Sequence, residues 1–231
     1  MRYHHLFFDL DHTLWDFDSN SREALQDIYV SLSLQDAGVH DFKVFHTNYL
    51  IHNDRLWDKY RNGQINVEEL RWKRMWLSLL DFKVGDEALA RRMGVAFLEI
   101  LPTKTLLFPD TEYILRYLST KNYKLHLITN GFEKTQHQKL KSAGIDSFFQ
   151  EVITSEGSNS LKPHLEIFEY ALMKTGASKK ESIMIGDTPE VDILGAINAG
   201  IDQVYVNHTH NPEPVRATYT VSSLKELETI F

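Results

Sequence analysis

Two kinds of segment alternate along most of the chain. Apolar runs of four to seven residues predict buried strands, and they cover residues 4–10, 124–129, 150–154, 182–186 and 203–206. Longer stretches with apolar side chains three or four positions apart predict amphipathic helices, and they cover residues 111–121, 132–143, 164–174 and 191–199. Gly144 and Gly200 follow two of these helices, where a left-handed cap is expected.

Strands that alternate with helices of this length predict βαβ crossovers and a parallel sheet. From about residue 107 onward, the chain therefore reads as a doubly wound α/β domain. Its first strand, however, lies far upstream at residues 4–10.

The intervening stretch has few strand signals and reads as one helix after another. Apolar spacing of three and four predicts helices at residues 19–31, 42–60, 67–80 and 86–101. An all-helical block that interrupts an α/β domain after its first strand predicts an inserted second domain. We therefore expect an α/β core formed by residues 1–15 and 103–231, and an α-helical insert formed by residues 16–102.

Composition narrows the functional classes. A chain of 231 residues can hold a medium-sized domain together with a smaller one, and its apolar fraction of 42% is ordinary for a globular protein. The absence of cysteine excludes disulfides, thiolate metal sites and a cysteine nucleophile. A net charge of −7 without a basic tract argues against binding to nucleic acid polymers or to a membrane surface. No apolar run suits a membrane span or a secretory signal, so a cytoplasmic location is expected.

The polar residues that follow the predicted strands are the candidate chemistry, because ligands bind beyond the carboxyl ends of strands in open parallel sheets. They are Asp9, Asp11, Thr129, Asn130, Lys162, Asp187 and Asp192. Four carboxylates repel one another, and one lysine does not offset them. A hard divalent cation resolves this imbalance, and oxygen ligands favour Mg²⁺. The lysine, hydroxyl and amide suit phosphate oxygens, so the set predicts phosphoryl transfer to a carboxylate nucleophile.

Four segments around these residues carry a family resemblance. They are FDLDHTL (residues 8–14), ITNG (128–131), LKP (161–163) and GDTPEVD (186–192). In this order they resemble the four motifs of the haloacid dehalogenase (HAD) superfamily, and the resemblance covers nearly the whole chain. An insert between the first and second motifs is similar to that of members with an α-helical cap.

The resemblance implies a role for each motif residue. Asp9 would be the nucleophile that forms an aspartyl-phosphate, and Asp11 the general acid and base. The phosphate-binding residues would be Thr129, Asn130 and Lys162. The Mg²⁺ ligands would be Asp9, Asp11 through its backbone carbonyl, and Asp187. Asp192 would be an anchor behind these ligands.

Two other reactions are compatible with an aspartate nucleophile or phosphoacceptor. Haloacid dehalogenases of the same superfamily lack the second aspartate and do not need Mg²⁺, so Asp11 favours a phosphatase. Signalling receivers also form a Mg²⁺-dependent aspartyl-phosphate. They are about half as long, carry no helical insert and place the phosphorylated aspartate in mid-chain, so the sequence disfavours this interpretation.

Further segments resemble bacterial pyrimidine 5′-nucleotidases, which act on nucleoside monophosphates. They are LWDFDS (residues 14–19), LWDKYRNG (56–63), TNGF (129–132), DILGAINAG (192–200) and VSSLKELE (221–228). Trp15, Phe17 and Gly131 are candidate substrate contacts, and the aromatic pair favours a nucleotide. The alternative is a phosphatase of small metabolites such as phosphoglycolate or sugar phosphates. The expected partner is thus a small phosphate monoester, and the expected assembly is a monomer or homodimer.

Overall fold

The computed structural model describes residues 2–212 and 215–231. The chain divides into two compact units, which we call the core unit (Met1–Phe17 with Thr105–Phe231) and the helical insert (Asp18–Lys104). Both boundaries lie two residues beyond the expected ones, since 17 − 15 = 2 and 104 − 102 = 2.

The core unit is built on a parallel sheet, as the alternation of strands and helices predicts. Its strands in the described residues are β1 His5–Phe8, β2 Lys124–Thr129, β3 Phe149–Thr154, β4 Ser182–Gly186, β5 Asp202–Val206 and β6 Tyr219–Val221. All neighbouring strands are parallel, in the order β3-β2-β1-β4-β5-β6. All four side chains of β1 are buried because the strand lies inside the sheet, which explains its uninterrupted apolar run. The predicted doubly wound α/β fold is confirmed.

The helical insert is formed by four long helices. They are α1 Phe17–Ser31, which begins at the unit boundary, α2 Phe42–Arg61, α3 Val67–Leu80 and α4 Glu87–Ile100. The side chains of Asp41, Asn66 and Asp86 each accept a backbone N–H in the first turn of α2, α3 and α4. These caps satisfy N–H groups that have no partner within the helix. No helix among the described residues has both the length and the apolar character needed to cross a membrane.

The remaining helices belong to the core unit. They are α5 Thr111–Thr120, α6 Glu133–Ser142, α7 Ser155–Ser158, α8 Leu165–Thr175 and α9 Leu194–Ala199. Short 3₁₀ turns occupy Leu101–Thr103 in the insert and Asp146–Phe148, Lys179–Glu181 and Leu224–Thr229 in the core unit. Buried apolar side chains from the strands, among them Phe7 and Met184, pack against Phe168 and Ala196 of α8 and α9. This packing holds the strand ends in place.

Two details differ from the sequence prediction. The helix expected at residues 191–199 begins as a π-helical turn, Pro189–Ile193, before α9. In this turn the Thr188 carbonyl accepts the N–H groups of Val191, Asp192 and Ile193. The short strand β6 was not predicted, because three residues are too few to show a period.

A buried pair of histidines lies between β1 and β2. His5 Nδ1 and His126 Nε2 are 3.1 Å apart and share a hydrogen bond, and the two rings are stacked. The Phe7 ring also stacks on His126, with centroids 5.0 Å apart. Burial, assisted by His5 and by the charge of Lys124, lowers the pKa of His126 to about 4. Burial lowers the pKa of His5 as well.

We predict that this pair makes the fold sensitive to acid. The unfolded chain binds a proton at His126 near pH 6.5, whereas the folded protein binds it only near pH 4. Stability should therefore fall as the pH drops through this window, by at most about 2 kcal/mol between pH 7 and pH 5. Urea unfolding at both pH values should show this loss in the wild type and a smaller one in His126→Gln. His137→Gln, at an exposed histidine, is the control. An equal loss in His126→Gln and wild type would contradict the prediction.

Candidate active site

Two aspartates extend from neighbouring strands at the point where the strand order reverses. Asp9 follows β1 and Asp187 follows β4, and these strands pair with Phe8 opposite Ile185. The Asp9 N–H donates to the Ile185 carbonyl at 2.9 Å, which continues the ladder to the aspartate itself. In open α/β sheets this switch point is where ligands bind.

Lys162 lies between two carboxylates in the interior. Its Nζ donates to Asp9 Oδ1 at 2.5 Å and to Asp192 Oδ1 at 2.7 Å. Lys162 and Asp192 are each only 1% exposed. Burial alone would lower the pKa of Lys162, but the charges of Asp192 and Asp9 raise it above its ordinary value. The lysine is therefore a permanent cation whose charge is held by both aspartates.

Three carboxylates converge around this lysine. Oxygen atoms of Asp9, Asp187 and Asp192 lie within 4.8 Å of one another. Burial, together with Asp192 and Asp187, raises the pKa of Asp9 well above its ordinary value despite the charge of Lys162. Burial and Asp192 likewise raise the pKa of Asp187 to about 6. One lysine thus leaves an excess of negative charge, and an all-oxygen donor set of this kind fits Mg²⁺.

Hydrogen bonds orient the two carboxylates that follow β4. Asp187 accepts the hydroxyl groups of Thr13 and Thr188, at 2.9 and 3.2 Å. Asp192 Oδ2 accepts the Thr188 N–H at 3.0 Å, while its Oδ1 accepts from Lys162. Because Asp192 is almost inaccessible and each of its oxygens accepts an N–H, it suits the expected anchoring role better than direct contact with a metal.

The side chain of Asp11 is held by a different group of residues. Its Oδ1 accepts from Lys139 Nζ at 2.6 Å, and its Oδ2 accepts from Gln136 Nε2 at 2.9 Å. Burial would raise the pKa of Asp11, but the Lys139 charge and the two hydrogen bonds lower it below its ordinary value.

The expected phosphate-binding residues after β2 also bind within the protein. Thr129 Oγ1 accepts from Gln136 Nε2 at 2.6 Å and from the Gly131 N–H at 3.1 Å. The Asn130 amide engages the Lys162 backbone at both ends, since Nδ2 donates to the Lys162 carbonyl at 2.9 Å and Oδ1 accepts its N–H at 2.7 Å. The Asn130 side chain therefore positions Lys162, and phosphate binding by Asn130 stays a prediction.

Two glycines leave room for polar side chains of the site. A β-carbon on Gly131 would collide with the Gln136 amide, and one on Gly186 would collide with the Asp192 carboxylate. The Gln136 side chain packs against Gly131, and the expected substrate contact at Gly131 stays a prediction.

The aromatic pair expected to stack on substrate is buried. Trp15 is 0% exposed, and the Lys139 ammonium lies 4.2 Å from the centre of its ring. Phe17 is also buried, with the same ammonium 5.7 Å from its ring centre. One face of Trp15 is thus covered by a cation, and a substrate contact at Trp15 stays a prediction. A substrate contact at Phe17 stays a prediction.

Three residues of the site were missed in the sequence: Thr13, Gln136 and Lys139. Gln136 and Lys139 are three positions apart on the inner face of α6, beside the buried Leu140. The available signal was a pair of polar residues at helix positions that face the interior. Thr13 lies within the first motif, but its bond to Asp187 spans 174 residues.

This geometry agrees with the comparison to known families. A family model of haloacid dehalogenase-like hydrolases matches residues 3–200. The chain belongs to the haloacid dehalogenase-like hydrolases. The family predicted from the four motifs is confirmed, and the protein is an enzyme of the hydrolase class.

Relatives of this HAD-like hydrolase match along nearly all of its length. It is 34% identical to the pyrimidine 5′-nucleotidase YjjG of Escherichia coli K12, over 99% of this chain and 97% of that protein. It is 31% identical to the pyrimidine 5′-nucleotidase PynA of Streptococcus pneumoniae, over 98% and 94%. The crystal structure of the HAD-hydrolase YfnB of Bacillus subtilis bound to magnesium superposes with a TM-score of 0.88, at 26% identity over 100% and 99% of the two chains.

We predict that Gly186→Ala destabilises this hydrolase because the added methyl group would displace Asp192 from Lys162 and Thr188. Overpacking of this kind costs about 1–3 kcal/mol. Urea unfolding at neutral pH should show this loss. Gly85→Ala is the matched control, because nothing lies within 4 Å of its added β-carbon. Equal stability of the two variants would show that the close approach of Asp192 is not required.

Proposed function

We propose that this HAD-like hydrolase is a Mg²⁺-dependent phosphatase that hydrolyses phosphate monoesters through an aspartyl-phosphate on Asp9. Its proposed substrates are pyrimidine nucleoside monophosphates. The observation that carries the proposal is the position of Asp9. Asp9 lies at the switch point of the sheet, accepts a hydrogen bond from the buried Lys162 and is close to the Asp187 carboxylate. A second aspartate, Asp11, follows two residues later in the sequence.

The residues that would hold Mg²⁺ are the side chains of Asp9 and Asp187 and the backbone carbonyl of Asp11. When bound, the ion would neutralise the excess charge of the carboxylates and of the phosphoryl oxygens. Burial, together with that excess charge, raises the pKa of Asp9 and of Asp187. Lys162 supplies a second, permanent positive charge beside the nucleophile.

The reaction then follows in two steps. Lys162 holds Asp9 Oδ1, so we assign attack on phosphorus to Oδ2. The new Asp9 oxygen–phosphorus bond forms as the ester oxygen–phosphorus bond breaks, and the leaving alkoxide takes a proton from Asp11. Asp11 enters this step in its protonated form and leaves it as the carboxylate that Lys139 and Gln136 hold. In the second step a water molecule gives a proton to Asp11 while its oxygen attacks phosphorus. Inorganic phosphate leaves, and the carboxylate of Asp9 is regenerated.

The presence of Asp11 supports a phosphatase over a dehalogenase. Displacement of a halide produces no alkoxide that requires a proton, so the first step of that reaction needs no general acid. Here that carboxylate is present and each of its oxygens is held by a donor side chain.

The choice of substrate has narrower support. The two nucleotidases that match over nearly the full length favour pyrimidine nucleoside monophosphates. The burial of Trp15 removes part of the argument from aromatic stacking. Small phosphorylated metabolites such as phosphoglycolate and sugar phosphates are therefore the alternative substrates that an experiment should include.

We predict that Mg²⁺ stabilises the folded protein. At a concentration about 100-fold above Kd, the melting temperature should rise by about 5–10 °C, and EDTA should reverse the rise and stop turnover. Asp187→Asn should lose most of this shift because it removes a ligand. Asp146→Asn, at an exposed aspartate of the core unit, should keep it. A shift of equal size in Asp187→Asn and wild type would contradict the assigned ligand, and turnover that resists EDTA would contradict the metal requirement.

The function itself is tested by phosphate release from a panel of esters. We expect dUMP, UMP and dTMP to be turned over with kcat/KM at least about tenfold above phosphoglycolate and sugar phosphates, a difference of about 1.4 kcal/mol. Asp9→Asn should lower release from every ester by about 10³-fold or more while its circular dichroism stays unchanged. A preference for phosphoglycolate or sugar phosphates would overturn the nucleotide assignment. Substantial release by Asp9→Asn would overturn the nucleophile.

A further inference from the structure

Two side chains of α6 connect the second aspartate to the loop after β2. We propose that Gln136 and Lys139 are positioning residues of the hydrolase, which fix the Asp11 carboxylate and direct the Thr129 hydroxyl toward the transferring phosphoryl group. This inference rests on the proposed function and extends it to residues outside the four motifs.

The contacts form a continuous chain within the core unit. Lys139 Nζ donates to Asp11 Oδ1 at 2.6 Å, and Gln136 Nε2 donates to Asp11 Oδ2 at 2.9 Å. The same Gln136 Nε2 donates to Thr129 Oγ1 at 2.6 Å. Hydrogen bonds to both oxygens fix the plane of the carboxylate, whereas a single hydrogen bond would let it rotate. Fixed orientation is what proton transfer to a leaving group requires.

Gln136 also determines what the Thr129 hydroxyl can do. A hydroxyl group has two acceptor positions and one hydrogen to donate. Both acceptor positions of Thr129 are used, one by Gln136 Nε2 and the other by the Gly131 N–H at 3.1 Å. The Thr129 hydroxyl can therefore bind a further group only by donating its hydrogen. A donor with this arrangement suits a phosphoryl oxygen, which can only accept.

Packing alone does not explain these two residues. Gln136 is 0% exposed and Lys139 is 2% exposed, at positions where α6 could bury leucine, as it does at Leu140. Lysine is rarely buried to this extent without a counter-charge. Here the Asp11 carboxylate and the face of Trp15 receive the ammonium. The loop after β2 also leaves space for the Gln136 amide, since a β-carbon on Gly131 would collide with it.

The test compares two leaving groups. Protonation by Asp11 matters for the basic alkoxide of a nucleoside monophosphate and little for the weakly basic phenolate of p-nitrophenyl phosphate. Lys139→Met keeps the length of the side chain but removes its charge. In single-turnover reactions we expect roughly a 10- to 100-fold fall in the rate of uridine release from UMP and little effect on the rate of p-nitrophenolate release, whereas hydrolysis of the shared aspartyl-phosphate should slow equally with both esters. Lys141→Met, at an exposed lysine on the same helix, should leave both rates unchanged.

Gln136→Met tests the proposed effect on the Thr129 hydroxyl in addition to the effect on the Asp11 carboxylate. It removes the donor to Asp11 and also the donor to Thr129, so we expect the same selective loss with UMP together with weaker inhibition by inorganic phosphate. Lys139→Met should leave phosphate inhibition unchanged. In an Asp11→Asn background, Lys139→Met should cause no further loss with UMP, because the lysine acts through Asp11.

Several outcomes would overturn the inference. They are equal losses in the rate of leaving-group release from both esters, a full additional loss in the Asp11→Asn background, or unchanged phosphate inhibition in Gln136→Met. Thermal unfolding verifies the fold of each variant, and failure of both Gln136→Met and Lys139→Met to fold would assign the pair a purely structural role. A wild type that releases phosphate from neither ester would instead refute the proposed function.

Discussion

The ammonium of Lys162 lies in the interior between Asp9 and Asp192, and the rest of the site is arranged to keep it there. A buried cation must remain paired, so each group that contacts it is itself held in place. Asn130 fixes the backbone of the lysine at two points. The Thr188 N–H fixes Asp192, and Gly186 provides the space for it. Residues from distant parts of the chain thus depend on one another through a single charge.

The site divides its charged groups into two sets with different electrostatics. Around Lys162, three carboxylates share one fixed cation, and burial together with their mutual repulsion raises the pKa of Asp9 and of Asp187. Around Asp11, a lysine and an amide meet one carboxylate, and they lower its pKa. In the first set three carboxylates outnumber one ammonium group, whereas in the second set one carboxylate is paired with one ammonium group. This contrast gives the two aspartates opposite electrostatic environments, although they are only two residues apart.

The sequence was most informative where a residue's role follows from its place at the end of a strand. Asp9 and Asp187 could be placed beside each other because they directly follow neighbouring parallel strands of the sheet. Side chains that reach their partners across the fold could not be placed in this way. The engagement of Asn130 with the Lys162 backbone depends on the path of two loops, and the burial of Lys139 depends on how α6 lies against Trp15. Strand β6 was too short to show a period.

Every ion pair and hydrogen bond described for the site has both members in the core unit, although 87 residues of the insert (104 − 17) separate the first aspartates from the remainder of that unit. Every donor and acceptor of these contacts is therefore encoded outside residues 18–104. A gene rearrangement confined to the segment that encodes the insert would keep all of these residues in the chain.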